Sequence, residues 1–192
     1  MISKGWVFAM KPTIGVMGAS AITNRDIEML AWETGRWIAR KGAVLITGAT
    51  TGLPLAAARG AKEENGEVIG FSPAINWKEH QKIGYPTDFH DIIICTGLSS
   101  AGRNLLNVRA SHGLVFVGGS MGALNEFTIA YDENKVIGIL NGTGGFCDHL
   151  EDWMLHLAKP QNQAVLIHCK TPRELVTDVL EAIRNRADEL GL

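Results

Sequence analysis

The sequence predicts an α/β fold: a doubly wound, mostly parallel sheet of about seven strands with helices on both faces. Short apolar runs alternate with helix-length segments from Thr13 almost to the end of the chain, the pattern of strands covered on both sides. Glycine-rich turns follow four of those runs. With 192 residues, 46% of them hydrophobic, the chain is long enough for one well-buried domain and too short for two comfortable ones, so residues 1–192 are expected to form a single domain.

In chain order, the N-terminal MISKGWVFAMKP places one lysine ahead of an apolar stretch from Trp6 to Met10. That stretch is shorter than the roughly 7 to 15 residues of a signal-peptide core and far below the roughly 20 that span a bilayer. A soluble, cytoplasmic protein is expected. The candidate strands are Thr13 to Met17, Ala43 to Thr47, Glu67 to Phe71, Asp91 to Cys95, Gly113 to Val117, Val136 to Leu140 and Ala164 to His168. Between the first two, Ile27, Leu30, Ala31, Thr34, Trp37 and Ile38 share one helical face, with Asn24 available as N-cap. Thr171 to Glu174 reads TPRE, a capping box with proline at the first helical position. It opens a helix whose stripe, Leu175, Val176, Val179, Leu180, Ile183, Ala187 and Leu190, should pack on the sheet. The one long irregular stretch, Ser72 to His90, is a surface excursion whose sequence suits a lid or a dimer contact equally. Trp32, Trp37, Trp77 and Trp153 suit core or interface.

Composition removes several function classes. A formal charge of -2 with no Lys/Arg run gives no general attraction for nucleic acid or an anionic membrane, since neutralising many phosphates requires a clustered basic surface. Cys95, Cys147 and Cys169 are odd in number and far apart, without a CxxC pair, so reduced thiols are expected rather than a disulfide framework or a zinc site. His80, His90, His149, His156 and His168 show no ligand spacing, and no metal site is expected.

Ligands of open parallel sheets bind outside the carboxyl ends of the strands. There the chain runs Gly18-Ala19-Ser20, Gly48-Ala49-Thr50-Thr51-Gly52, Thr96-Gly97 on to Gly102, and Gly118-Gly119-Ser120-Met121-Gly122. Any one such turn is explained by backbone geometry. Four on one rim, each opening a helix with unpaired N–H groups, point to an anion site. The candidate binding positions are Gly18, Ser20, Gly48, Thr51, Gly52, Asn104, Gly118, Gly119, Ser120, Met121, Gly122 and Ala123. GVMGAS is not GxGxxG and no Gly-Lys-Ser/Thr occurs, so the dinucleotide fingerprint and the P-loop are absent.

Few polar groups on this rim have chemistry to offer. Arg103 begins the helix after the fourth candidate strand, where the dipole would prefer an acid, so an anionic partner explains it better. That partner is either a ligand phosphate or Glu126, four residues past Gly122. Arg109 and His112, further along, fit surface or packing roles.

The run from Gly102 to Phe127, GRNLLNVRASHGLVFVGGSMGALNEF, resembles the signature of the Lonely guy family and its relatives, often labelled lysine decarboxylases, in which an arginine is followed sixteen residues later by PGGxGTxxE. Arg103 falls on the family arginine, Gly119 and Gly122 on the first and last glycines, and Glu126 on the glutamate. ITGATTGLPLAAARGAKEENGEVIGFSP is similar to the family's GGGxxGLMGxxxxxAxxxGGxVIGVxP, so the resemblance runs from about Thr13 to Leu157. The Arg103-Asn104 pair and a GGxxG turn with Gly118 in place of proline are closer to the molybdenum cofactor carrier branch than to the cytokinin-activating enzymes. The resemblance implies a modified Rossmann fold, a homodimer or higher homo-oligomer, and a small phosphorylated ligand over these loops. For the enzymes it implies hydrolysis of the N-glycosidic bond of a nucleoside 5′-monophosphate, with Arg103 and Glu126 as the catalytic pair.

Glu126 would then stabilise the positive charge of an oxocarbenium-like transition state or orient water, while Arg103 holds the substrate or assists the leaving base. Two departures bear on this: Ser120 replaces a glycine, and Ala123 replaces a threonine whose hydroxyl would donate to phosphate. A lost hydrogen bond to a charged group is worth roughly 1.5 to 3 kcal/mol, while backbone N–H groups still hold an anion. Decarboxylation through a lysine Schiff base has no lysine in the four turns to use. The leading reading is thus binding of a phosphorylated, nucleotide-like ligand, with phosphoribohydrolase activity as its catalytic form. The alternative is a non-catalytic carrier of molybdenum cofactor or a related pterin or nucleotide. Single-strand DNA binding of the DprA kind is disfavoured by the acidic balance and the lack of a basic, aromatic groove.

Overall fold

The computed structural model describes residues 10–21 and 24–190. The elements follow in the order β1 (Thr13–Gly18), α1 (Arg25–Arg40), β2 (Val44–Thr47), α2 (Leu53–Glu63), β3 (Val68–Ser72), α3 (Trp77–Ile83), β4 (Ile92–Cys95), α4 (Ser99–Ala110), β5 (Gly113–Val117), α5 (Met121–Asp132), β6 (Val136–Leu140), a 3-10 turn at Gly145–Asp148, α6 (Leu150–Leu157), β7 (Val165–Cys169) and α7 (Pro172–Leu190). Each candidate strand is present, with ends shifted by no more than one residue. Most of the N-terminal stretch from Trp6 lies outside the described residues.

The strands make one sheet in the order β4-β3-β2-β1-β5-β6-β7, and every neighbouring pair is parallel. The chain winds outward from β1 to β4, then returns to place β5 on the other side of β1. Burial follows the sequence pattern: β2, β5 and β6 are buried throughout, as continuously apolar runs require. One face packs Ile14, Val16, Leu45 and Val115 against α1, α2 and α7. The other packs Leu114, Phe116, Ile137 and Ile139 against α4, α5 and α6, where Phe116, Phe127 and Phe146 meet at centroid distances of 5.5 to 6.0 Å.

Local signals explain the helix ends. Asn24 accepts from the Asp26 N–H at 2.8 Å to start α1. At α7, the Glu174 N–H donates to Thr171 Oγ1 at 3.4 Å, and the hydroxyl donates to the Glu174 carboxylate at 2.7 Å. Leu175, Val176, Val179, Leu180, Ile183 and Ala187 of that helix are buried as expected; the Leu190 side chain lies outside the described residues. The stretch from Ser72 to His90 differs from expectation: it is not irregular throughout, because Asn76 caps α3 within it. A helix of 7 residues spans barely two turns, too few for a periodic apolar face to show. Trp32 and Trp37 pack against the core, whereas Trp77 and Trp153 are 48% and 38% exposed. No described helix is long and apolar enough to cross a membrane.

Candidate functional site

In this strand order the winding direction reverses between β1 and β5, which opens a crevice at their carboxyl ends. A cavity of about 230 Å³ lies there, lined by Gly18, Ser20, Gly48, Thr51, Arg103, Asn104, Ser120, Gly122, Ala123 and Glu126 among the expected positions. Thr51 Oγ1 donates to the Ser20 carbonyl at 2.9 Å and so ties the second turn to the first. The turn after β4, at the sheet edge, reaches the crevice only through α4, which contributes Ser100, Arg103 and Asn104. Gly52, Gly118, Gly119 and Met121 do not line the cavity. Gly52 is the N-cap of α2, in left-handed backbone at φ +84°. Gly118 and Gly119 border a second hollow with Asn24, Ile27 and Thr143, and the Gly118 N–H donates to Thr143 Oγ1 at 2.7 Å. Met121 is 78% exposed.

Two glycines show what the cavity requires. A Cβ at Gly48 would overlap the Arg103 guanidinium, so only glycine lets that cation lie against the backbone of the second turn. A Cβ at Gly122 would meet no atom within 4 Å. This glycine is the second residue of α5, and no packing demands it.

Arg103 and Glu126 are almost fully buried, at 7% and 5% exposure. Their closest approach, Nη1 to Oε1, is 3.6 Å, beyond hydrogen-bond length. Asn107, one turn after Arg103 on α4, donates from Nδ2 to Glu126 Oε1 at 2.7 Å. Arg103 Nε and Asn107 Oδ1 have no hydrogen-bond partner among the described residues. Burial pushes the Glu126 carboxyl up to about 7, against the opposing pulls of Asn107 and Arg103. Burial likewise lowers the Arg103 pKa, with Glu126 and the Tyr85 phenol favouring its charged form. Desolvation thus outweighs the pairing for both partners.

Asn104 spends its amide on α5, donating to Asn125 Oδ1 at 2.9 Å and to the Gly122 carbonyl at 3.4 Å. Ser120 is the N-cap of α5 but makes no capping hydrogen bond, and no acid occupies the first turn of that helix. The N-termini of α2 and α4 also lack side-chain caps. The uncapped α5 end and the Arg103 guanidinium therefore both offer donors to an anion in this cavity. Among the described residues, no group of three or more His, Cys, Asp or Glu side chains is placed to hold a metal ion.

Met17, Thr50, Pro54, Tyr85 and Ser100 also line the cavity, and sequence reasoning had not reached them. Asn107 was missed too, although its spacing of four from Arg103 puts both on one face of a helix. Tyr85 had no such signal, since it arrives from the segment after α3. Arg109 pairs with Glu133 at 2.7 Å, away from the crevice.

The sequence and the fold are matched by known proteins. An uncharacterized protein of Archaeoglobus fulgidus is 37% identical over 127 residues, 66% of this chain and 78% of that one. The molybdenum cofactor binding protein from the phototrophic bacterium Rippkaea orientalis superposes with a TM-score of 0.75 at 30% identity, covering 92% of this chain and 99% of that chain. The molybdenum cofactor carrier protein of Chlamydomonas reinhardtii gives 0.73 at 30% identity, covering 90% and 98%. The SLOG cluster4 family model matches residues 11–176, which include every strand and the whole crevice. The parallel sheet, the crevice at its switch point and this match together show that the chain belongs to the SLOG cluster4 family.

Proposed function

We propose that the protein is a non-catalytic carrier, holding a phosphorylated pterin- or nucleotide-type ligand of the molybdenum cofactor class in the crevice between β1 and β5. The observation that carries this is the Arg103 guanidinium in the cavity wall, a nearly buried cation 3.6 Å from a carboxylate that does not hydrogen-bond it. An anionic group satisfies that cation together with the α5 N–H groups. The open space beside Gly122 leaves room for the group. At about 230 Å³ the cavity falls below the roughly 300 Å³ of the smallest drug-sized sites, so it suits the phosphate end of a ligand whose rings extend over the rim. The solved relatives that bind or carry molybdenum cofactor support the class of ligand.

Carriage is favoured over hydrolysis by Ala123, which supplies no hydroxyl to the phosphate. The test is calorimetry with inorganic phosphate and AMP, together with mass spectrometry of whatever copurifies. Binding without release of free adenine is expected. Release above the level of an Arg103→Ala, Glu126→Ala double variant would overturn the carrier reading in favour of a phosphoribohydrolase. The reading includes a cytoplasmic homodimer acting on a small molecule rather than on nucleic acid. Its supporting surface is the strip of Ile69, Phe71, Ile92 and Ile94 on the α4 side of β3 and β4, where Ile92 and Ile94 are 53% and 43% exposed.

A further inference from the structure

The segment from Gly84 to His90 has no helix or strand of its own, yet it brings Tyr85 into the cavity wall. Two histidines hold it. His80, on α3 and fully buried, joins Ser72 Oγ through Nδ1 at 2.8 Å and the Pro86 carbonyl through Nε2 at 3.1 Å. His90 joins Thr47 Oγ1 through Nε2 at 2.8 Å and the Asp88 carbonyl through Nδ1 at 2.9 Å. Ser72 and Thr47 are the last residues of β3 and β2, and each hydroxyl also accepts from a backbone N–H two residues on, at Ala74 and Ala49.

The donor and acceptor roles follow by elimination. A carbonyl only accepts, so the ring nitrogen facing it carries the proton: Nε2 in His80 and Nδ1 in His90. In a neutral ring the other nitrogen accepts, and the hydroxyl, already accepting from a backbone N–H, donates its proton there. The two relays are the same device with the ring turned around. Each runs from a backbone N–H beside a strand end, through a hydroxyl and an imidazole, to a carbonyl of the segment. Tyr85 is also braced by ring contact, tilted on His80 at 5.6 Å, while Trp77 stacks on the same imidazole at 5.5 Å.

We propose that Tyr85 contacts the ring portion of the ligand, and that His80 and His90 are positioning residues which pin its segment across the ends of β3 and β2. The inference rests on the reading that the crevice takes a phosphate joined to a flat ring system. The glycine turns and Arg103 then hold the phosphate, and Tyr85 covers what extends beyond it. The arrangement separates two parts of the affinity: phosphate binding is independent of Tyr85, and the added affinity from a ring depends on it.

The test titrates wild-type protein, Tyr85→Ala, His80→Phe and His90→Phe with inorganic phosphate and with AMP. All three variants should leave phosphate affinity within about twofold and weaken AMP roughly 5- to 100-fold, the range expected for a lost aromatic stack. Equal losses for both probes, no loss for either, or a wild-type protein that gains nothing from the adenine ring would overturn the role of Tyr85. If wild-type protein takes neither probe, the ligand reading and the ligand contact by Tyr85 both fall. The pinning is then decided by amide exchange: at least a tenfold rise confined to residues 84–90 in the histidine variants supports it, and wild-type exchange refutes it. Should those variants not fold, nitrogen-15 spectra of the wild-type imidazoles decide. Neutral rings protonated on Nε2 in His80 and on Nδ1 in His90 support the relays, and any other state overturns them.

Discussion

Arg103 and Glu126 sit together at a separation that satisfies neither, and this sets what each does when changed. Arg103→Ala removes a charge-assisted donor to the ligand and should weaken phosphate binding about 10- to 100-fold by calorimetry. Arg103→Lys, with a point charge in place of the planar fork, should not restore it. Glu126 governs stability through protons. Its carboxyl keeps a proton up to about 7 in the folded chain, against a reference value of 4.5. Between those values the folded state binds one more proton at this group than the unfolded one, so the Glu126 contribution to stability is greatest below 4.5 and falls as pH rises toward 7. The full loss is roughly 3 kcal/mol. Glu126→Gln should flatten this part of the profile, which urea unfolding at pH 4.5 and pH 8 will show. Both residues were legible in the sequence because a motif spaces them against glycines. Asn107 was not singled out because an asparagine within a helix has many ordinary uses, and only its 2.7 Å bond to Glu126 distinguishes it. Of the two partners expected for Arg103, Glu126 lies 3.6 Å away in the same cavity.

Helix α5 combines a glycine at its second position with an N-terminus that no side chain caps. Gly122→Val separates folding from binding. The added side chain enters open space, so unfolding free energy should stay within about 1 kcal/mol of wild type, while calorimetry should show phosphate binding lost. At the other end of the chain, Thr171→Ala removes the hydroxyl that starts α7 and should cost about 1 kcal/mol in chemical denaturation. Strands and long helices were readable because apolar runs and caps agree over many residues. Helix α3 was not, although Asn76 followed by Glu79 marks its start, because its single buried side chain is a histidine rather than an apolar one. The same gap hid Tyr85, whose place depends on a segment held by side-chain hydrogen bonds that no periodicity reports.

At the scale of the whole molecule, Val165 of β7 is 37% exposed, and the larger open strip of sheet lies at the edge strand β4, where Ile92 and Ile94 remain open. If a second copy covers that strip, an Ile92→Lys, Ile94→Lys double variant should halve the mass measured by light scattering and leave the fold intact by circular dichroism; an unchanged mass would remove this face as the interface. Family resemblance implies an interface, but the pattern of the apolar runs could not say which one is at an edge, because strand order is set by crossovers and not by local sequence. That order has a further consequence for how the protein comes into being. Gly18 pairs with Val117, partners about a hundred residues apart, so closing the crevice requires a long loop to form first. Its walls come from Met17 through Glu126. A nascent chain that has not yet released β5 and α5 has glycine turns but no crevice, so a ligand of the proposed kind cannot template the early steps of folding.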